Sequence, residues 1–331
     1  KGQDRDQEEG RMKTSGGGRY PLSRTEPVMD KKIKEELKKL SAKYGGTALF
    51  GASLPSRSTV GIGGSADVWY EPFCPEEFRD LKRFLTDLGK RAVLIGNASN
   101  ILFPDGRLKA ILVNLSSDVF KEINIDGATI TTGAGASLGS VISASVNAGL
   151  SGLEGLVGIP GTVGGAIKMN AGYKSSVSDL VERVLVMDST GSMEWRDKKD
   201  MVFGYRWSSL DDDEVILQAV FSLKNGDKKK LRERLKRDFK EKMTKQPLDK
   251  RSLGSIFKNP PGISRKSAEL IDMAGLKGAR EGAAVVSEKH ANFIINEGGA
   301  YAEDYMRLVE KVRQGVFEKF GILMEMEIKV L

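Results

Sequence analysis

The sequence predicts a mixed α+β protein of more than one domain. The chain has 331 residues, more than a single hydrophobic core usually organises. Short apolar strand patterns alternate with amphipathic helix patterns over most of its length. The character then changes after Gly226, where a long basic helix pattern opens a second region.

Each element has its own signal. Residues 1–28 are polar, Gly-rich and aperiodic, and are expected to form a disordered leader. MDKKIKEELKKLSAKYG (29–45) has a helical period that stops at Gly45-Gly46. PEEFRDLKRFLTDLG (75–89) predicts a helix with Pro75 in its first position, where a missing N–H costs nothing. AVLIG (92–96) predicts a buried strand running into the turn NASN (97–100), and AILVNL (110–115) predicts another strand. NIDGATITTGAG (124–135) predicts a strand pair about Asp126-Gly127, and SLGSVISASVNAG (137–149) a helix of small residues ended by Gly149. VERVLVMDSTGSMEWR (181–196) predicts a hairpin about Ser189–Gly191, and VILQAVFSL (215–223) a strand. Beyond 226 come the basic helix, the turn-rich loop QPLDKRSLGSIFKNPPG (246–262), helices over 264–275 and 300–321, and a last strand over 322–330.

Composition excludes several function classes. Hydrophobic residues are 40% and charged residues 29%, a globular balance. No apolar run reaches the length of a membrane-spanning helix, and no signal-peptide order opens the chain. One cysteine, Cys74, and one histidine, His290, leave no intrachain disulfide and no structural zinc set, so no metal site is expected. Cytoplasm is the expected compartment. There is no GxxxxGK[ST] phosphate loop and no GxGxxG after a strand. The net charge of +7 is concentrated in residues 228–251, with twelve Lys/Arg against four Asp/Glu. This segment reads either as a field that attracts anions or as a solvated helix face with i,i+4 ion pairs. Aromatics are not interleaved with these charges, so no nucleic-acid partner is expected. No obligate protein partner is evident.

Two loops stand out. GIPGTVGGAIKMNAG (158–172) holds five glycines in fifteen positions and no charge before Lys168. Such a backbone suits either a phosphate or carbonyl-rich ring held against bare N–H groups, or a tight turn packed on a strand. GNASN (96–100) is also small and polar, and also follows an apolar element. Together the two loops could line one elongated cofactor.

GNASNIL (96–102), GLEGLVGIPGTVGGAIKMNAG (152–172), YRWS (205–208), GSIFKNP (254–260), AGLKG (274–278), SEKHANFIIN (287–296) and MEMEI (324–328) share one further property. As a set they resemble the UDP-N-acetylenolpyruvoylglucosamine reductase family, over roughly residues 50 to 328. The resemblance implies an FAD-binding fold of the vanillyl-alcohol-oxidase type in two parts, 29–115 and 116–226. It implies a C-terminal α/β substrate-binding domain over 227–321 and a last strand, 322–331, that returns to the active site. It implies FAD as cofactor, NADPH as reductant and UDP-N-acetylglucosamine enolpyruvate as substrate, reduced to UDP-N-acetylmuramate for peptidoglycan. With no long insertion between 172 and the YR motif and no extension after the last strand, the chain is similar to the shorter, second form of the family. Another FAD oxidoreductase on the same fold, and a binding protein that kept only the scaffold, are the alternatives.

The resemblance also assigns residues. Ser255 falls on the proton donor, Arg206 on the group that polarises the substrate carboxylate, and Glu327 on the third catalytic position. Strand alternation would put Glu325 and Glu327 on one face, and a substrate carboxylate nearby would raise the Glu327 pKa, so that it donates a hydrogen bond. Gly96, Asn97, Ser99, Asn100, Ile159, Pro160, Gly161, Thr162, Gly164 and Gly165 are implied for the flavin. Tyr173, Tyr205, Lys258, Asn259 and Lys277 are implied for the nucleotide substrate. His290 is expected to be structural; no GxSxG elbow surrounds Ser255 to recruit it as a hydrolase base. Three positions depart from the family pattern: Ala98 replaces a usual glycine, YKSSVSD follows NAG, and YRWSSL lacks an aromatic after its serine.

Overall fold

The computed structural model describes residues 30–331, so the expected leader lies outside the described residues. The first unit comprises α1 (Lys31–Tyr44), β1 (Thr47–Ser53), β2 (Ser65–Glu71), α2 (Pro75–Asp87), β3 (Ala92–Leu94), β4 (Ile101–Leu102) and β5 (Arg107–Val113). Asp30 caps α1 through Lys32 N–H, and Gly45 closes it in the left-handed conformation. The sheet order is β1-β2-β5-β3, antiparallel at β1–β2 and parallel elsewhere. The apolar faces of α1 and α2 (Leu37, Leu40, Phe78, Leu81) cover one side of this sheet, and Trp69, Phe103 and Leu112 fill the other.

The second unit is antiparallel. It runs β6 (Ile123–Asp126), β7 (Thr129–Gly133), α3 (Leu138–Ala148), β8 (Leu150–Ser151), α4 (Val163–Lys168), β9 (Val181–Met187), β10 (Met193–Asp197), β11 (Phe203–Gly204), β12 (Trp207–Ser208), β13 (Val215–Ser222) and β14 (Lys224–Asn225). Five strands form the sheet β10-β9-β13-β7-β6. Helices α3 and α4 bury Leu138, Val141, Ile142, Val163 and Ile167 in a core with Val184, Ala219 and Phe221 of that sheet.

The third unit holds α5 (Lys228–Lys245), β15 (Ser252–Ser255), α6 (Ser267–Met273), β16 (Arg280–Glu281), β17 (Ala284–Val286), β18 (Phe293–Asn296), α7 (Ala302–Phe320) and β19 (Lys329–Val330). Its sheet, β15-β18-β17-β16, is antiparallel, with α6 and α7 packed on it through Leu270, Tyr305, Leu308 and Val312. Val60, Ile62 and Leu102 of the first unit join the same core.

The tail differs from expectation. The strand expected over 322–330 is two short pairings with different partners. Lys258 N–H donates to Glu325 O at 2.9 Å and Glu327 N–H to Ile256 O at 2.7 Å. Then Lys329 N–H donates to Asn100 O at 2.9 Å, and β19 runs parallel to β4. The change of partner breaks the ladder while keeping the chain extended. It ties the third unit to the loop after β3.

Candidate active site

The two glycine-bearing loops meet. Ser99 Oγ donates to Pro160 O at 3.3 Å. A Cβ on Gly96 would lie 2.7 Å from Thr162 Oγ1, so only glycine allows this approach. Thr162 caps α4, its Oγ1 accepting from Gly165 N–H at 3.3 Å. Gly161 has φ +127°, a conformation closed to other residues. Among the described residues, the N–H groups of residues 96–100, Gly161 and Thr162 have no protein acceptor. Seven such donors on two touching loops suit an anion or a carbonyl-rich ring. The N–H groups of Ile159 and Gly164 are used internally, on Leu156 O and Ala134 O. Pro160 has no N–H, and Asn97 points into solvent.

Ala98, the departure in the first loop, has φ +45° and is buried. The position demands a left-handed residue, and alanine fills it at the cost of strain.

The catalytic candidates stand beside this seam. Asn100 Nδ2 donates to Glu327 O at 3.0 Å, so the first loop holds the backbone of the acid directly. Arg206 Nε donates to Glu327 Oε1 at 2.7 Å, and its Nη2 to Gly172 O at 3.3 Å. Arg206 sits in the two-residue loop between β11 and β12 with φ +58°. Ser255 ends β15 next to Ile256, the residue that receives Glu327 N–H. The register shifts between Ser252, paired with Ile295, and Ser255, paired with Phe293, and Gly254 takes up the break at φ +77°. Burial pushes the Glu327 carboxyl above its usual pKa, partly offset by the charges of Arg206 and Lys258. The elevation thus exists before any substrate carboxylate arrives.

The substrate candidates divide. Asn259 N–H donates to Tyr205 Oη at 3.2 Å, joining the YR hairpin to the GSIFKNP loop. Lys258 Nζ pairs with Glu325 Oε1 at 2.7 Å. Glu325 is solvated while Glu327 is enclosed, so the two acids meet different surroundings. Tyr173 lies at the edge of this group. Lys277 does not join it: its Nζ pairs with Asp272 Oδ2 at 2.7 Å, and its charge acts on His290. His290 packs edge-on to Phe293 with centroids 4.8 Å apart, and burial lowers its pKa.

One residue escaped sequence reasoning. Lys242 of α5 is buried, donates to Val157 O at 3.2 Å and lies 4.7 Å from the Tyr173 ring. Among the described residues no carboxylate pairs with it. Burial, reinforced by Arg206, pulls its pKa down to about 8. In sequence it is one cation among twelve in a basic run. Other cations of α5 are ion-paired, Lys245 with Glu241 at 2.8 Å and Arg234 with Glu154 at 2.9 Å.

Known proteins match this arrangement. The family described as "UDP-N-acetylenolpyruvoylglucosamine reductase, C-terminal domain" matches residues 246–331, and "FAD binding domain" matches 66–196. A UDP-N-acetylenolpyruvoylglucosamine reductase of Carboxydothermus hydrogenoformans is 39% identical over 92% of this chain and 99% of its own length. The chain belongs to the UDP-N-acetylenolpyruvoylglucosamine reductase family. A Caldicellulosiruptor bescii reductase is 42% identical over 83% of this chain and 87% of its own. The crystal structure of the Thermus caldophilus reductase superposes with a TM-score of 0.73 at 32% identity, covering 86% of this chain and 98% of that one. As a member of the reductase family, the protein is an FAD-dependent oxidoreductase with a two-part FAD-binding fold followed by the family's C-terminal domain. The seam of free N–H groups fits such a cofactor: its donors suit the diphosphate and ring carbonyls, and Gly96 and Gly161 leave room for close approach. No helix among the described residues is long and apolar enough to cross a membrane.

Proposed function

We propose that this protein reduces UDP-N-acetylglucosamine enolpyruvate to UDP-N-acetylmuramate for peptidoglycan synthesis. One observation carries the reading: Arg206 pairs with Glu327, whose N–H meets Ile256 beside Ser255 and whose carbonyl is held by Asn100 of the loop whose N–H groups lack protein acceptors among the described residues. Bound FAD supplies the hydride chemistry, with NADPH as reductant and C3 of the enolpyruvyl group as acceptor. The protein's own residues then handle one charge and one proton. As C3 gains hydride, negative charge develops at C2 and spreads into the carboxylate. Arg206, a planar donor pair, binds that carboxylate. Glu327, whose pKa burial raises and a bound substrate carboxylate would raise further, donates a hydrogen bond to the same developing charge in its protonated form. Ser255 gives its proton to C2; the enolate is basic enough for a hydroxyl acid held in place. Tyr205, Lys258 and Asn259 line the approach, with Tyr173 and the buried cation Lys242 placed to meet an anionic part of the substrate. Residues 30–226 hold the flavin, 227–321 the nucleotide, and the tail returns Glu327 to the reaction centre.

The test is an absorbance spectrum from 300 to 550 nm of purified protein under anaerobic conditions. Flavin absorbance that bleaches with NADPH and returns on adding the enolpyruvyl nucleotide supports the reading. A flavin that bleaches but is not reoxidised by that substrate points to a different oxidoreductase of the same fold.

A further inference from the structure

Arg206 stands on an element that cannot hold itself in place. Among the described residues, strands β11 and β12 form a two-stranded sheet joined to no larger one. An isolated two-stranded hairpin is marginal in water. Its two-residue loop places Arg206 at φ +58°, which a long side chain disfavours. Attachments outside the hairpin must therefore fix it.

Those attachments come mainly from one short segment. Ser208 Oγ donates to Lys168 O at 2.9 Å. Asn170 Nδ2 donates to Gly204 O at 2.9 Å. Arg206 Nη2 donates to Gly172 O at 3.3 Å. Lys168 is the last residue of α4 and Asn170 and Gly172 lie just beyond it; the other end of the helix is the flavin-facing loop capped by Thr162. Asn170 is itself tightly determined. It is buried at 8% exposure with φ +42°, and its Oδ1 accepts Ser178 N–H at 3.2 Å. One amide orientation satisfies both neighbours, with the carbonyl toward an N–H and the NH2 toward a carbonyl.

We propose that Asn170 is the positioning residue for Arg206: it latches the YR hairpin to the end of α4, so that one helix sets the flavin loop and the guanidinium in a common frame. This rests on the reductase reading for the role of Arg206. The latch itself does not depend on that reading.

The decisive variant is Asn170→Asp. It keeps the side-chain shape, the tolerance of a left-handed backbone and the acceptor for Ser178, but loses the donor to Gly204. Asn170→Gly is the second variant; it accepts the backbone conformation and loses both bonds. The first readout, on FAD-loaded protein, is hydrogen exchange of residues 201–210. It should accelerate at least ~10-fold in both variants while β13 exchanges as before, because only the hairpin's opening is eased. Unchanged exchange in 201–210 overturns the latch, whatever the substrate proves to be. The second readout is kcat with the enolpyruvyl nucleotide, normalised to bound flavin. A misplaced guanidinium should lower it by about 10- to 100-fold with a smaller effect on KM. In an Arg206→Ala background, Asn170→Asp should cost little more, since the group it positions is gone. A full multiplicative loss there would mean that Asn170 acts through something other than Arg206. If unmodified protein is not reoxidised by the nucleotide, the reductase reading fails, and the exchange measurement still decides the latch.

Discussion

Arg206 Nε and Glu327 Oε1 stand 2.7 Å apart, each largely enclosed, joining the second unit to the last residues of the chain. Burial raises the Glu327 pKa despite this partner. The folded pKa lies above the unfolded one, so the stabilising contribution is complete below about 4.5 and is lost as pH rises through the folded value. Glu327→Gln removes this titration and keeps a donor. Its thermal stability relative to wild type should improve as pH rises from about 4.5 and then level off, as measured by melting temperature against pH. Its kcat should stay within about 10-fold of wild type, while Glu327→Ala should fall by about 10²–10³. Equal loss in Gln and Ala would show that hydrogen-bond donation is not the role of this acid.

Ser255→Ala tests the proton donor. A positioned general acid is worth about 10²–10⁴ in rate. The loss should appear in flavin reoxidation by the enolpyruvyl nucleotide, followed by stopped-flow absorbance. The end of β15 should survive, because Gly254, not Ser255, adopts the left-handed backbone. Reoxidation at the wild-type rate would place the proton donor elsewhere.

Local signals carried much of the fold. Pro75 and Ser137 start helices and Gly45 and Gly149 end them where a cap or a missing N–H predicts. The strand expected over 322–330 fails for a tertiary reason: its partners change from residues 256–258 to β4, and no local pattern encodes partner choice. Ala98 and Arg206 carry left-handed backbone that their residue types argue against, and both lie at the site, where surrounding contacts override local preference. Lys242 was invisible because its burial comes from packing on Gly158 and Tyr173, far away in sequence. Ser255, Arg206 and Glu327 were singled out as candidates by a set of motifs; composition and spacing alone left Ser255 an ordinary turn serine.

His290 is the chain's single histidine, so its ring resonances are unambiguous in an NMR titration. Burial holds its pKa below the usual 6.5, and the Lys277 and Lys266 charges act in the same direction. The expected midpoint is therefore under 6.5. The stabilising contribution of the neutral ring is present above 6.5 and lost as pH falls through the folded value, so melting temperature should decline there. His290→Gln should lower kcat by less than about 10-fold, below the loss expected for a general base. A larger loss with unchanged stability would make it a participant in the reaction.

Lys242 costs stability where it sits. Its pKa falls from 10.5 to about 8, chiefly through burial. The folded value lies below the unfolded one, so the full contribution is present above 10.5 and is lost as pH falls through about 8. At neutral pH this amounts to a penalty of roughly 3 kcal/mol, at about 1.36 kcal/mol per pH unit. The hydrogen bond to Val157 and the Tyr173 contact offset about 1–2 kcal/mol of it. Lys242→Met keeps the apolar stem against Gly158 and removes the charge. Chemical denaturation at pH 7 should show this variant more stable by about 1–2 kcal/mol, with the advantage shrinking between pH 8 and pH 10.5. The same change should raise KM for the nucleotide substrate more than it lowers kcat, since the cation meets a part of the substrate that does not react. A variant that is more stable yet binds substrate as before would leave Lys242 without a role at the site. One that is less stable would show that the buried ammonium is better satisfied than its single carbonyl partner allows.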